Sequence, residues 1–231
     1  MKKTLIVVAH PNMENSRANK IFKEEAEKLS NVEIYNIYEK YPDGKIDVEK
    51  ELKLLSETGT LILQFPLFWF NCPSLLKEWI DTVFMAAHYG ENKVLKGKKI
   101  GVAVTTGGIA SRYDGTNGLT IKEVLKPFLL SIAHVEGIEL PIYSLFGVMP
   151  DLSDEKIAES AKKYSEYIKN NLVDIINFHN SLLDENQKLA VQKSMSLGEN
   201  CEILLVQGPP GTGKTTTITE IVNQVLSTKK H

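Results

Sequence analysis

Residues 4–19 read TLIVVAHPNMENSRAN, and the fold follows from how this stretch changes character. Thr4 to Ala9 is a near-continuous apolar run of strand length, as expected of a strand covered on both faces. His10-Pro11 breaks it, and Ala18, Ile21, Phe22, Ala26 and Leu29 then recur at helical spacing. A fully buried strand feeding an amphipathic helix is the opening of a β-α-β unit, which implies a parallel sheet.

The same alternation continues outward. Val32 to Tyr38 reads as a second strand, Val48 to Ser56 as a helix, and Thr60 to Phe65 as a third strand. After Pro73, one apolar helix face is drawn by Leu75, Leu76, Trp79, Ile80, Val83 and Phe84. Lys99 to Val104 is a fourth strand, followed by Thr105-Thr106-Gly107-Gly108. Ile121, Val124, Leu125, Phe128, Leu129 and Ile132 mark the next helix, in which Pro127 either kinks the chain or sits in a first turn. Gly137 to Phe146 contains the fifth strand, and Ser153-Asp154-Glu155 opens a last helix carried by Ile157, Ala161, Tyr164 and Ile168. Five strands and five helices predict a doubly wound α/β domain over residues 1–171.

Composition narrows the class. The 231 residues are 42% hydrophobic and 24% charged, which supports a packed core, and no apolar run reaches the length of a membrane span. The start, Met1-Lys2-Lys3, resembles a signal peptide only until His10-Pro11-Asn12 replaces the small residues of a cleavage site, so a cytoplasmic protein is expected. Cys72 and Cys201 form no CxxC or metal-ligand spacing, and no metal site is expected. A net charge of −2 without a basic tail argues against nucleic acid as a partner. Of 27 basic residues only Arg17 and Arg112 are arginine. Lysine bias accounts for this, or else guanidinium groups are kept where phosphate is gripped, because both lie in loops that matter below.

In doubly wound sheets a ligand sits outside the carboxyl ends of the strands, where strand order reverses. Three unusual loops follow strands one, three and four. The first carries His10, then Ser16, Arg17 and Asn19 at a helix start, which is either a phosphate cradle or a capped helix beside an exposed loop. The second, Gln64-Phe65-Pro66-Leu67-Phe68-Trp69-Phe70-Asn71, holds large aromatics that either pack inward or line a flat ligand. In the third, Gly107 and Gly108 permit close backbone approach to a planar ring, with hydroxyls from Thr105 and Thr106.

The order AHP…S-x-A-N, then QFPLxWFxxPxxLKxWxDxVF, then TTGG and an aromatic residue resembles the flavodoxin-like NAD(P)H:quinone oxidoreductases. Tyr41-Pro42-Asp43, Ile46-Asp47 and Leu76-Lys77-Glu78-Trp79-Ile80-Asp81 are similar to the branch of potassium-efflux ancillary oxidoreductases. The resemblance implies FMN as cofactor, NAD(P)H as co-substrate, a quinone as small acceptor in ping-pong turnover, a homodimer, and in that branch a membrane transporter as partner. It implies that His10, Ser16, Arg17 and Asn19 hold the phosphate and ribityl chain. It places the ring on Pro66, Leu67, Trp69 and Phe70, with Thr105, Thr106, Gly107, Gly108 and Tyr113 at its pyrimidine edge. Family members often follow that tyrosine with a histidine that relays charge. Here the segment is short and offers Asn117, which donates a hydrogen bond but does not titrate near neutrality, so Tyr113 and Asn117 are the candidate catalytic pair. His88-Tyr89 is a surface loop or a lid offered to a partner subunit.

Beyond residue 171 the pattern changes. Residues 172–181 extend the last helix or form a linker. Residues 182–231 contain capping-box spacing at Asp184–Gln187, a strand over Glu202 to Gln207, and a short P-loop strand-helix fragment. Gly208, Gly211, Gly213, Lys214 and Thr215 fit the pattern that cradles ATP and Mg²⁺, and with Gln187 upstream they resemble the opening of a superfamily 1 helicase. The Q motif and Walker A stand without the acidic motif that would complete a metal site and orient water, and five lysines face six acids beyond residue 171. The tail is therefore expected to be an incomplete helicase-like segment. Lys214→Ala and removal of residues 180–231 should both leave flavin content and NAD(P)H–quinone turnover nearly unchanged, with ATP hydrolysis at background. ATP turnover abolished by Lys214→Ala, or flavin lost on removing the tail, would contradict this.

Overall fold

The computed structural model describes residues 3–116, 118–172 and 218–219. The chain divides into two units, Met1–Leu172 and Val173–His231, and every strand among the described residues lies in the first. The P-loop motif and Gln187 lie outside the described residues.

Strand β1 (Lys3–Val8) passes through one 3₁₀ turn (Met13–Asn15) into helix α1 (Arg17–Ala26). Strand β2 (Val32–Asn36) is two residues shorter than the sequence pattern predicts. The Asn36 side chain turns back to accept the N–H of Tyr38 and starts the short helix α2 (Ile37–Lys40). Helix α3 (Val48–Ser56) begins on Asp47, whose carboxylate accepts the Lys50 N–H, and leads into β3 (Thr58–Pro66).

Helix α4 (Ser74–Trp79), a π-helical turn (Ile80–Phe84) and α5 (Met85–Tyr89) follow one another without a break and bury the predicted face from Leu75 to Phe84. After β4 (Lys99–Thr105) and a 3₁₀ turn (Ala110–Arg112), α6 (Ile121–Val124) starts on a capping box formed by Thr120 and Glu123. The predicted helix is interrupted at Leu125, and Pro127 sits in the first turn of α7 (Lys126–His134), where its missing N–H costs nothing. The fifth strand is divided into β5 (Ile138–Glu139) and β6 (Tyr143–Leu145). Pro141 lies between them and cannot donate to the ladder. Helix α8 (Asp154–Leu172) closes the unit.

The sheet order is β2-β1-β3-β4, with β5 and β6 both on the far side of β4, and all pairs are parallel. This is the doubly wound order with its reversal between β1 and β3. Alternation sends Leu5, Val7, Leu61, Leu63 and Phe65 into a large core with Leu55, Trp79 and Phe128. Ile6, Val8 and Ile62 pack on the other face against Phe22, Ala26, Ala161 and Tyr164. Among the described residues no helix is long and apolar enough to cross a membrane.

The large core also encloses a carboxylate. Glu51 is fully buried and accepts hydrogen bonds from the hydroxyls of Tyr35 and Tyr41, both at 2.5 Å, and from Trp79 Nε1 at 2.8 Å. Burial, reinforced by Glu51, pushes the Tyr41 phenol up to about 12 and the Tyr35 phenol higher still, so both remain donors. One side chain thus ties β2, the end of α2 and α4 together. Glu51→Leu strands three buried donors and should lower stability by roughly 3 kcal/mol or more in urea unfolding, whereas Tyr35→Phe should cost only about 1–2 kcal/mol.

Candidate functional site

The carboxyl ends of β1, β3 and β4 open onto a cavity of about 590 Å³. That volume lies within the range of about 300–1,000 Å³ common for small-molecule sites. The first loop contributes His10, Ser16, Arg17 and Asn19, and the third contributes Thr105, Thr106 and Gly107. From the second loop, Pro66 and Leu67 line the cavity as expected. No acidic side chain is among its lining residues.

One end of the cavity is the N-terminus of α1. Ser16 caps the helix, its Oγ accepting the Asn19 N–H at 3.2 Å. The first-turn N–H groups and the positive end of the helix therefore favour an anion there. Asn19 Nδ2 donates to Thr105 Oγ1 at 2.9 Å, which joins the first loop to the end of β4. His10 is half-buried, and this desolvation pushes its pKa down, leaving a neutral ring. Its Nδ1 accepts the Asn12 N–H at 3.1 Å, so the ring proton is assigned to Nε2, which can donate.

Arg17 lines the cavity, and its guanidinium is engaged by the loop before α8. Nη1 donates to the carbonyls of Met149 and Pro150 at 3.0 and 3.2 Å. Nη2 donates to the Leu152 carbonyl at 2.5 Å and to Asp154 Oδ1 at 2.7 Å. The guanidinium thus clasps the loop before α8 and brings Val148, Met149 and Pro150 to the cavity wall. Sequence reasoning missed these three residues together with Asn15, Ala18 and Phe68, although the rule that ligands bind beyond strand ends extends to the loop after the last strand.

The aromatic loop is sorted by backbone geometry. Phe68 and Asn71 pair through N–H···O bonds of 2.9 and 3.1 Å in the two directions. Trp69 and Phe70 fill the two central positions at φ 50° and 65°, as a type I′ turn requires. Phe68 is therefore the aromatic that reaches the cavity, edge-on to His10 with ring centroids 6.1 Å apart. Trp69 and Phe70 project outward, 95% and 60% exposed. The resemblance sets Trp69 and Phe70 against the ring and passes over Phe68; neither Trp69 nor Phe70 is among the residues lining the cavity, because the turn closed by Phe68 and Asn71 carries both away from it.

At the β4 end, Thr106 Oγ1 donates to the Gly108 carbonyl at 2.7 Å and fixes the glycine turn. A Cβ on Gly107 would meet Met149 Sδ at 3.3 Å, and one on Gly108 would meet Tyr113 Cε2 at 2.9 Å. Tyr113 stacks on Phe146 at 5.5 Å behind Gly108 and is not among the residues lining the cavity. Asn117, its proposed companion, lies outside the described residues. His88 and Tyr89, expected in a surface loop or lid, lie in helix α5, where the His88 ring is tilted against His134 with centroids 4.4 Å apart, and neither is among the residues lining the cavity.

The chain is similar to known proteins over the first unit. A family model described as flavodoxin-like fold matches residues 2–168, and an AAA domain model matches residues 182–231. An uncharacterized NAD(P)H oxidoreductase, YdeQ, of Bacillus subtilis is 41% identical over 173 residues, covering 73% of this chain and 87% of that protein. The crystal structure of general stress protein 14 from Treponema denticola in complex with FMN is 36% identical, with a TM-score of 0.67, covering 72% of this chain and 98% of that one. An NADPH-quinone reductase from P. pentosaceus is 31% identical with a TM-score of 0.64, covering 71% of this chain and 96% of that one.

Proposed function

The chain belongs to the flavodoxin-like fold family, and we propose that it is an FMN-dependent NAD(P)H oxidoreductase reducing quinones or similar small acceptors. The observation that carries this reading is the cavity at the reversal of strand order, with an anion-favouring helix start joined through Asn19 to the Thr105–Gly107 segment. The names of the relatives, an NAD(P)H oxidoreductase, an FMN complex and an NADPH-quinone reductase, support it.

The residues present fit FMN. Its phosphate suits the α1 N-terminus, where Ser16 fixes the first turn by accepting the Asn19 N–H and no acidic side chain lines the cavity. Pro66, Leu67 and Phe68 offer an apolar wall for a flat ring, and Gly107 leaves the opposite edge free of side chain. Bound there, FMN would supply two-electron chemistry, with NAD(P)H giving up hydride and a quinone taking hydride and a proton to become hydroquinone. The chain's own part is to bind, to orient and to keep donors in place. His10 presents Nε2–H, and Arg17 holds the 149–154 loop against the site. Tyr113, carried behind Gly108, and Asn117 are proposed to assist charge movement at the ring edge.

A second reading attaches to residues 182–231, whose match to an AAA domain supports nucleotide contact by Gly208–Thr215. The Lys214→Ala experiment separates it from the first. We also propose a homodimer, since the large apolar side chains of Trp69, Met85 and Tyr89 are exposed.

Four measurements test the reading. Flavin released by heat should chromatograph as FMN, and initial rates with NADPH and a soluble quinone should give the parallel double-reciprocal lines of ping-pong turnover. Gly107→Val should be folded but free of flavin, because Met149 Sδ can shift while the new side chain enters the cavity. Recovery of FAD alone, or normal flavin in that variant, would contradict the assignment. Light scattering should give the mass of two chains; a fully active monomer would refute the dimer.

A further inference from the structure

Beneath the cavity floor lies a polar side chain that the proposed chemistry leaves unused. Gln64, near the end of β3, is fully buried on the α1 side of the sheet. Its Nε2 donates to the Asn19 main-chain carbonyl at 3.1 Å and approaches Asn19 Oδ1 at 3.5 Å. Its Oε1 is buried with no partner among the described residues. A buried amide kept with one end unsatisfied calls for an explanation beyond packing.

The direction of the hydrogen bonds supplies one. Reversing the Asn19 amide would set its NH₂ against the NH₂ of Gln64, two donors face to face. Gln64 thereby holds Asn19 with Oδ1 inward and Nδ2 toward Thr105, whose Oγ1 accepts at 2.9 Å. A threonine hydroxyl has one hydrogen. With its oxygen already accepting from Asn19, that hydrogen is free for another acceptor, and Thr105 lines the cavity. Were Asn19 reversed, the same hydroxyl would donate inward to Oδ1 and be lost to a ligand.

We propose that Gln64 is a positioning residue that locks the Asn19 amide and so commits the Thr105 hydroxyl to donate into the cavity, to an oxygen of the flavin's phosphoribityl chain. The inference rests on the FMN reading and deepens it. The acceptor is a phosphate oxygen or a ribityl hydroxyl, which share the same chemistry. Three flavins separate them: FMN has both, riboflavin lacks the phosphate, and lumiflavin lacks the whole chain.

Binding to flavin-free protein is measured by quenching of flavin fluorescence, with folding of each variant checked by thermal unfolding. Gln64→Met removes the lock and Thr105→Val removes the donor. Each should weaken FMN binding by about tenfold, the worth of one hydrogen bond to a charged or strongly polar group. The double variant should be no weaker than either single one, because both remove the same bond. Lumiflavin binding should be unchanged in all three, and Thr105→Ser should bind FMN normally. Loss with riboflavin as well as FMN assigns the acceptor to the ribityl chain, and loss with FMN alone assigns it to the phosphate. Equal weakening of lumiflavin and FMN by Gln64→Met, or additive losses in the double variant, would overturn the proposal. If Gln64→Met does not fold, full FMN affinity in Thr105→Val overturns it just as directly. Wild-type protein that binds none of the three flavins overturns the FMN reading itself, a result distinct from FMN bound with Gln64 having no part.

Discussion

With β1 along one edge and β4 along the other, β3 has no free hydrogen-bonding edge, and its residues from Thr60 to Pro66 are all buried. A strand so placed needs helices on both faces, and parallel neighbours need crossovers that return the chain to the same end of the sheet. The loops after β1, β3 and β4 are therefore forced to emerge side by side. Neither Asn19 nor Thr105 finds the other by any local rule. They are brought to 2.9 Å because β3 must be enclosed.

Glu51 and Gln64 are both fully buried, on opposite faces of this sheet, and they differ in how completely they are satisfied. Glu51 accepts three hydrogen bonds and serves as a fixed joint between β2, α2 and α4. Its network is complete, and complete networks rigidify. Gln64 uses its donor end on Asn19 and leaves Oε1 without a partner. An unsatisfied buried acceptor costs about 1–3 kcal/mol. The two sites together show why burial of a polar group does not by itself mark function: the Glu51 cluster lies outside the residues lining the cavity, whereas Gln64 bonds to one that does.

The rim of the site carries strain of another kind. Trp69 and Phe70 both take positive φ, a conformation that non-glycine residues adopt at a cost of about 1–3 kcal/mol each. The Phe68–Asn71 pairing holds them there, and Asn71 Oδ1 accepts the Cys72 N–H at 2.8 Å to anchor the turn to the start of the next segment. The consequence is a division of labour among neighbouring aromatics, with Phe68 on the cavity and Trp69 turned to the outside. Arg17 works on the opposite wall, where one guanidinium gathers three carbonyls and a carboxylate of residues 149–154.

Periodicity alone was sufficient for the elements that depend on burial. The run Thr4–Ala9, the face from Leu75 to Phe84 and the spacing Ile157, Ala161, Tyr164, Ile168 all pack as their pattern requires, because alternation and helical repeat are local consequences of having two faces. The helix over Val48–Ser56 also forms where its pattern put it, and Pro127, left between a kink and a first turn, takes the first turn. The sequence further marked which loops could meet a ligand, since His10, Ser16 and the Thr105–Gly108 turn sit where strand ends must open. It set Trp69 and Phe70 on the site and passed over Phe68, the aromatic that lines the cavity, because that choice depends on a turn whose backbone is set by pairing across it. Nor could it show that the Arg17 side chain is taken up by carbonyls more than 130 positions away, or that Gln64 orients Asn19 across 45 positions. These are hydrogen bonds between groups remote in sequence. Their partners and their direction exist only once the sheet has brought the strand ends together.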